Sequence, residues 1–115
     1  MTEYVCKCSL SDGEAENAPL NLEALQTLCD IFRMLGEPSR MKILMALLDG
    51  EACVYHIVKS CGGQQSAVSH QLRVLKDNKL VKARREGQNV LYSLADGHVE
   101  ELIKIGSTHV NCKNG

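Results

Sequence analysis

The chain has 115 residues, 44% of them hydrophobic, with 13 Lys+Arg against 14 Asp+Glu, six Cys, two Pro and no Trp. That size fits one domain, and the apolar content excludes a disordered chain. The longest apolar run, Ile43 to Leu48, falls far short of the roughly 18–20 residues that span a bilayer, so no membrane partner is expected. The N-terminus has no basic-then-apolar leader, which predicts a cytoplasmic protein; there thiols stay reduced, so the six Cys point to metal or redox chemistry rather than a disulfide scaffold.

Residues 1–20 are polar and acidic with no helical or strand period, and they are expected to form a mobile arm carrying Cys6 and Cys8. The domain proper spans residues 21–112. Leu22, Leu25, Leu28, Cys29, Phe32 and Leu35 recur at steps of three and four, the apolar stripe of an amphipathic helix with Asn21 as N-cap. On that stripe Cys29 is expected to be a core residue. Gly36 stops this helix and Pro38 stands near the first turn of the next, where its missing N–H does no harm. Met41, Ile43, Leu44, Leu47 and Leu48 make the second helix apolar nearly all round, hence central, until Gly50. Residues 52–60 are expected to be a short helix with Ile57 and Val58 inward, and Cys61-Gly62-Gly63 a turn in which the sequence names no partner for Cys61. From Gln65 to Asp77 a further helix turns Val68, Leu72 and Leu75 inward. Two helices joined by a tight Gly-containing turn match a helix-turn-helix. Leu80–Arg85 and Val90–Leu94 alternate about Glu86-Gly87-Gln88-Asn89, a β-hairpin in the position of a wing. The final helix runs from about Gly97 to Val110. The predicted fold is mainly α with a β-hairpin wing, a winged helix-turn-helix.

The formal net charge of −1 is unevenly spread. Residues 1–40 balance at −4, whereas residues 64–92 carry Arg73, Lys76, Lys79, Lys82, Arg84 and Arg85 against Asp77 and Glu86, a balance of +4. A basic island in a weakly acidic chain marks a polyanion site. Gln64, Gln65, Ser66, Ser69, His70 and Arg73 offer short polar groups for base edges and phosphates of double-stranded DNA. The wing adds Lys82, Arg84, Arg85 and Gln88; Arg84 and Arg85 point to opposite strand faces, so only one tracks the backbone. A single module covers little DNA, which favours a dimer reading two half-sites.

Asp96, His98, His109 and Cys112 bracket the last helix. His98 and His109 are 11 residues apart, which puts them within about 20° on one helix face but roughly 16 Å apart along it. One helix therefore cannot present both to an ion bound at about 2 Å. Two antiparallel copies can: the midpoints of the pairs 98/109 and 96/112 fall at 103.5 and 104, so one dyad builds two symmetric Asp-His-His-Cys sites. Leu102 and Ile105 straddle the same dyad. Such a donor set suits Zn(II), and the thiolate admits Cd(II). Asp96 also suits a plain helix cap. A second set, Cys53 and His56 one turn apart with Cys6 and Cys8 on the arm, offers three thiolates and an imidazole; the bland reading is a small buried Cys53 and incidental arm thiols. His70 reads as structural or DNA-facing.

Glu37-Pro38-Ser39-Arg40, the run Gln65-Ser66-Ala67-Val68-Ser69-His70-Gln71-Leu72, Leu75-Lys76 and the wing Gly87-Gln88-Asn89-Val90-Leu91-Tyr92 resemble the ArsR/SmtB family of metal-responsive repressors over about residues 22–112. The resemblance implies a homodimer, joined through its N- and C-terminal helices, that holds an operator in the apo form and is released by the inducing metal. It implies that His109 binds metal through one ring nitrogen while the other bonds backbone near His70. Cys112 stands where family zinc sensors carry Glu or His, which tilts the preference toward thiophilic ions. Tyr55 replaces the second Cys of the family's Cys-Val-Cys segment, and His56 matches an Asp ligand of some zinc sensors. The alternative on the same scaffold is a thiol-based redox or persulfide-sensing regulator. Catalysis is not expected: no nucleophile–base pair or Gly-rich phosphate loop is present, and no small organic substrate is called for.

Overall fold

The computed structural model describes residues 21–112. The arm expected at residues 1–20, with Cys6 and Cys8, lies outside the described residues. Helix α1 (Leu22–Leu35) starts where Asn21 Oδ1 accepts from the Ala24 N–H at 2.7 Å. Helix α2 (Pro38–Ala46) has Pro38 in its first turn and a Glu37 carboxylate accepting from the Ser39 N–H at 2.9 Å. Its end tightens into a 3₁₀ turn, Leu47–Asp49, before Gly50. Helices α3 (Val54–Cys61) and α4 (Gln65–Asp77) are joined through Gly62 and Gly63, both at positive φ (82° and 91°), a conformation that side chains resist and glycine does not. Helix α5 (Gly97–Asn111) closes the fold.

The wing matches its prediction and adds a strand. Strand β2 (Val81–Glu86) pairs antiparallel with β3 (Asn89–Leu94), from Val81↔Leu94 to Glu86↔Asn89. The connection is the two residues Gly87-Gln88, with Gly87 at φ 63°, as a tight hairpin requires. The expected helix over 52–60 needs correction. Ala52–Cys53 form a short strand β1 that pairs with the far edge of β3 (Ala52↔Tyr92, Cys53↔Leu91), and helix starts only at Val54. A two-residue strand has no period of its own; its backbone is satisfied by a partner distant in sequence. The sheet order is β1-β3-β2.

Ile43, Leu44, Ile57, Leu72, Leu75 and Leu80 are fully buried, joined by Leu47, Val68, Val81, Val99 and Ile103. Burial of each such side chain contributes about 2 kcal/mol. Helix α1 lends this core only Leu35, with Ile31 and Met34 beside it. Leu22, Leu25, Leu28 and Phe32 stay exposed, Leu22 at 84%. Cys29, expected in the core, is likewise exposed. The α1 stripe is real, but within one chain only its last turn is covered: a periodic pattern specifies an apolar face, not what covers it. Helix α5 divides the same way, Val99 and Ile103 inward, Leu102, Ile105 and Val110 outward.

Candidate DNA-binding face and metal-ligating residues

Helix α4 buries Val68, Leu72 and Leu75 and thereby turns Gln65, Ser66, His70 and Arg73 to solvent, with Ser69 half-buried. Gln64 is exposed at the N-cap, and its side chain makes no capping bond. The position of α4 is held from α2: Arg40 Nε donates to Gln71 Oε1 at 2.9 Å. Neither residue stood out as a contact in the sequence, because no helical spacing links them. Cys61, at the end of α3, donates through Sγ to the Lys42 carbonyl at 3.3 Å, and burial pushes its thiol pKa up. It is a packing residue of the helix-turn-helix.

The wing separates its two arginines. Val81, Ala83 and Arg85 alternate with Lys82, Arg84 and Glu86, so they lie on opposite sheet faces. Arg84 donates through Nε to Glu51 Oε2 at 2.9 Å and through Nη1 to Glu86 Oε2 at 2.9 Å. These bonds raise the Arg84 pKa further above its ordinary value and hold the Glu51 carboxyl below its own. Arg85 has no ion-pair partner among the described residues, and Lys82, Arg85 and Gln88 are exposed. Sequence reasoning missed Glu51. It sits just ahead of β1, and only the three-stranded sheet brings it to Arg84.

The α5 residues occupy the two ends of one helix. Asp96 is the N-cap: Oδ1 accepts from the His98 and Val99 N–H groups at 2.9 and 3.1 Å, leaving Oδ2 with no hydrogen bond among the described residues. His98 Nδ1 lies 3.7 Å from Asp96 Oδ1, and its side chain is 91% exposed. At the other end His109 and Cys112 are exposed, and the Cys112 N–H donates to the His109 carbonyl at 3.2 Å. Among the described residues no three His, Cys, Asp or Glu side chains gather into one cluster. Each end of α5 thus carries an accessible pair of donors, chemically suited to zinc or cadmium yet incomplete within one chain. In the second set, Cys53 Sγ and His56 Nδ1 are in contact at 3.1 Å, with Tyr55 edge-on to the His56 ring.

Comparison with known proteins bears on this arrangement. Residues 37–83, spanning α2 through the first residues of β2, match the model of the bacterial regulatory protein, arsR family. The chain is 42% identical over 91 residues to the transcriptional repressor SmtB homolog of Synechocystis, covering 79% of this chain and 69% of that protein. It is 33% identical over 113 residues to the cadmium resistance transcriptional regulatory protein CadC homolog of Staphylococcus aureus, covering 95% and 93%. Among solved structures it resembles the homodimeric winged helix-turn-helix DNA-binding domain of a possible ArsR-family transcriptional regulator from Mycobacterium bovis, with TM-score 0.75, 28% identity and coverage of 84% and 90%. The fold, the helix-turn-helix with its wing and these likenesses agree: the chain belongs to the arsR family of bacterial regulatory proteins and is a transcriptional regulator, not an enzyme.

Proposed function

We propose that the protein is a metal-sensing transcriptional repressor of the cytoplasm that binds operator DNA as an apo homodimer and is released by Zn(II)- or Cd(II)-type ions. One observation carries the reading. Exposed donor pairs sit at the two ends of α5, and the exposed Leu102 and Ile105 lie between them. Antiparallel contact of two such helices about residue 104 covers the apolar face and joins Asp96 and His98 of one chain to His109 and Cys112 of the other. The exposed stripe of α1 supplies further surface for the same dimer. The homodimeric Mycobacterium bovis neighbour supports a dimer, and the cadmium-resistance name of the Staphylococcus aureus relative supports the ligand class.

Asp96, His98, His109 and Cys112 would hold such an ion through O, N, N and S donors, a set that suits zinc, and would thereby link the two helices. Asp96 uses Oδ1 to start the helix and keeps Oδ2 for a ligand; His98 follows one turn-edge away. His109 would hold the ion through one ring nitrogen and donate from the other toward backbone near His70, which would link the site to the DNA face. Release requires that the DNA-incompetent dimer bind the ion better than the competent one does. Gln64, Gln65, Ser66, Ser69, His70 and Arg73 meet the groove, with Lys82, Arg85 and Gln88 on the backbone. Cys53 and His56, with Cys6 and Cys8, form a second site for a thiophilic ion.

The test is His109→Gln. Operator binding should persist, and zinc-driven release should be lost; release that survives the substitution overturns the relay. The contact of Cys53 with His56 favours one second reading, a thiol switch. EDTA reverses induction in the metal reading, dithiothreitol in the thiol one.

A further inference from the structure

We propose that Glu51 is a positioning residue that holds Arg84 off the DNA, leaving Arg85 as the one of the two wing arginines that contacts phosphate. The inference rests on the DNA-binding reading above. Every nitrogen of the Arg84 guanidinium faces a carboxylate: Nε and Nη2 face Glu51, and Nη1 faces Glu86. One cation between two anions presents no net positive charge, so Arg84 attracts a phosphate only if it gives up a bidentate partner. Arg85 is exposed, with no ion pair among the described residues.

The two faces of the sheet reinforce the division. Val81 belongs to the core that α4 also lines, with Tyr92 and Leu94 packed against it, and Arg85 continues that same face beyond the last buried side chain. Arg84 lies on the other face, in a row with Leu91 and Cys53, where β1 brings Glu51 alongside. The wing thus carries one arginine on the side of the recognition helix and one tied back to the segment ahead of α3. Exposed ion pairs add little to stability, so breaking this one should change DNA binding rather than folding.

Salt dependence separates the two roles, because each phosphate contact contributes about 0.9 to the slope of log K against log salt. The probe is a labelled duplex of about 30 base pairs, long enough for two half-sites, selected by the full-length wild-type protein from a random pool. Arg85→Gln should flatten the slope by about 1.8 per dimer, one contact per wing. Arg84→Gln should move it by less than about 0.5. Glu51→Gln, which reads the same contact from the other side, should steepen it by removing the bidentate partner of Arg84 and leaving only its single bond to Glu86. Slope loss in Arg84→Gln equal to that in Arg85→Gln overturns the proposal. So does a Glu51→Gln protein that is weaker at every salt concentration without a steeper slope, the sign of a merely structural brace. A wild-type protein that enriches no duplex overturns the DNA-binding reading, and this inference with it.

Discussion

The two candidate ligand regions differ in what each would need to complete a metal site. Cys53 and His56 already touch within one chain, at 3.1 Å, because the strand-to-helix junction at β1 and α3 sets them one turn apart. Asp96–His98 and His109–Cys112 are kept apart by the full length of α5. In the proposed reading the first region is a preformed pair that would draw its other ligands from outside the described residues. The second, in the same reading, is a pair of half-sites that a two-fold axis would complete. Metal affinity at α5 should therefore depend on dimerisation, and affinity at the Cys53–His56 pair should not depend on the α5 contact.

The strongest way to break that contrast is Ile105→Glu, which puts a charge on an apolar face where the side chain is now 65% exposed. Dimer affinity should fall at least about a hundredfold, since an unpaired charge is costly to bury. Sedimentation reads the assembly, and cadmium titration should lose the thiolate absorbance of Cys112 while keeping that of Cys53. A variant that stays dimeric would place the contact elsewhere. Next in size, Cys112→Ser should weaken metal binding by at least about tenfold, as loss of a ligand exceeds loss of a supporting bond. Cys53→Ser should leave zinc-driven operator release in place; a reversed outcome would make α3 the sensing region.

Smaller effects sharpen the role of Asp96, which caps α5 whether or not it binds metal. Asp96→Ala should lose about 1 kcal/mol in denaturant unfolding, and Asp96→Ser, which keeps a capping oxygen, only a few tenths. Both should lose metal affinity; a serine variant with full metal response would reduce Asp96 to a cap. The smallest effect is a thiol control. Burial raises the Cys61 pKa, so at mildly alkaline pH it should alkylate a few-fold more slowly than exposed Cys112, with the gap narrowing as pH rises. Equal rates would show that the turn between α3 and α4 opens readily.

Much of the architecture was legible because its signals are local. The Asn21 cap, Pro38 at the start of α2, the Gly62-Gly63 turn and the alternation about Gly87-Gln88 each act within a few residues, and each stands in the structure where the sequence placed it. The helical period of α4 likewise decided which side chains face out. The start of α3 was misplaced because β1 is defined by its partner Leu91 and Tyr92, not by its own two residues. Cys29 was misplaced because an apolar stripe looks the same whether its own core or another surface covers it.

The sequence by itself determined the order and kind of every element except β1, together with the basic island and the residue types at both ends of α5. Only the tertiary structure decided which of those charges remain available. It paired Arg84 with Glu51 on the sheet surface, tied Arg40 to Gln71 and left Arg85 open. Backbone period acts over one or two turns, so composition reveals it. A hydrogen bond between residues some thirty positions apart exists only after the sheet and helices have closed, and no spacing rule along the chain encodes that meeting.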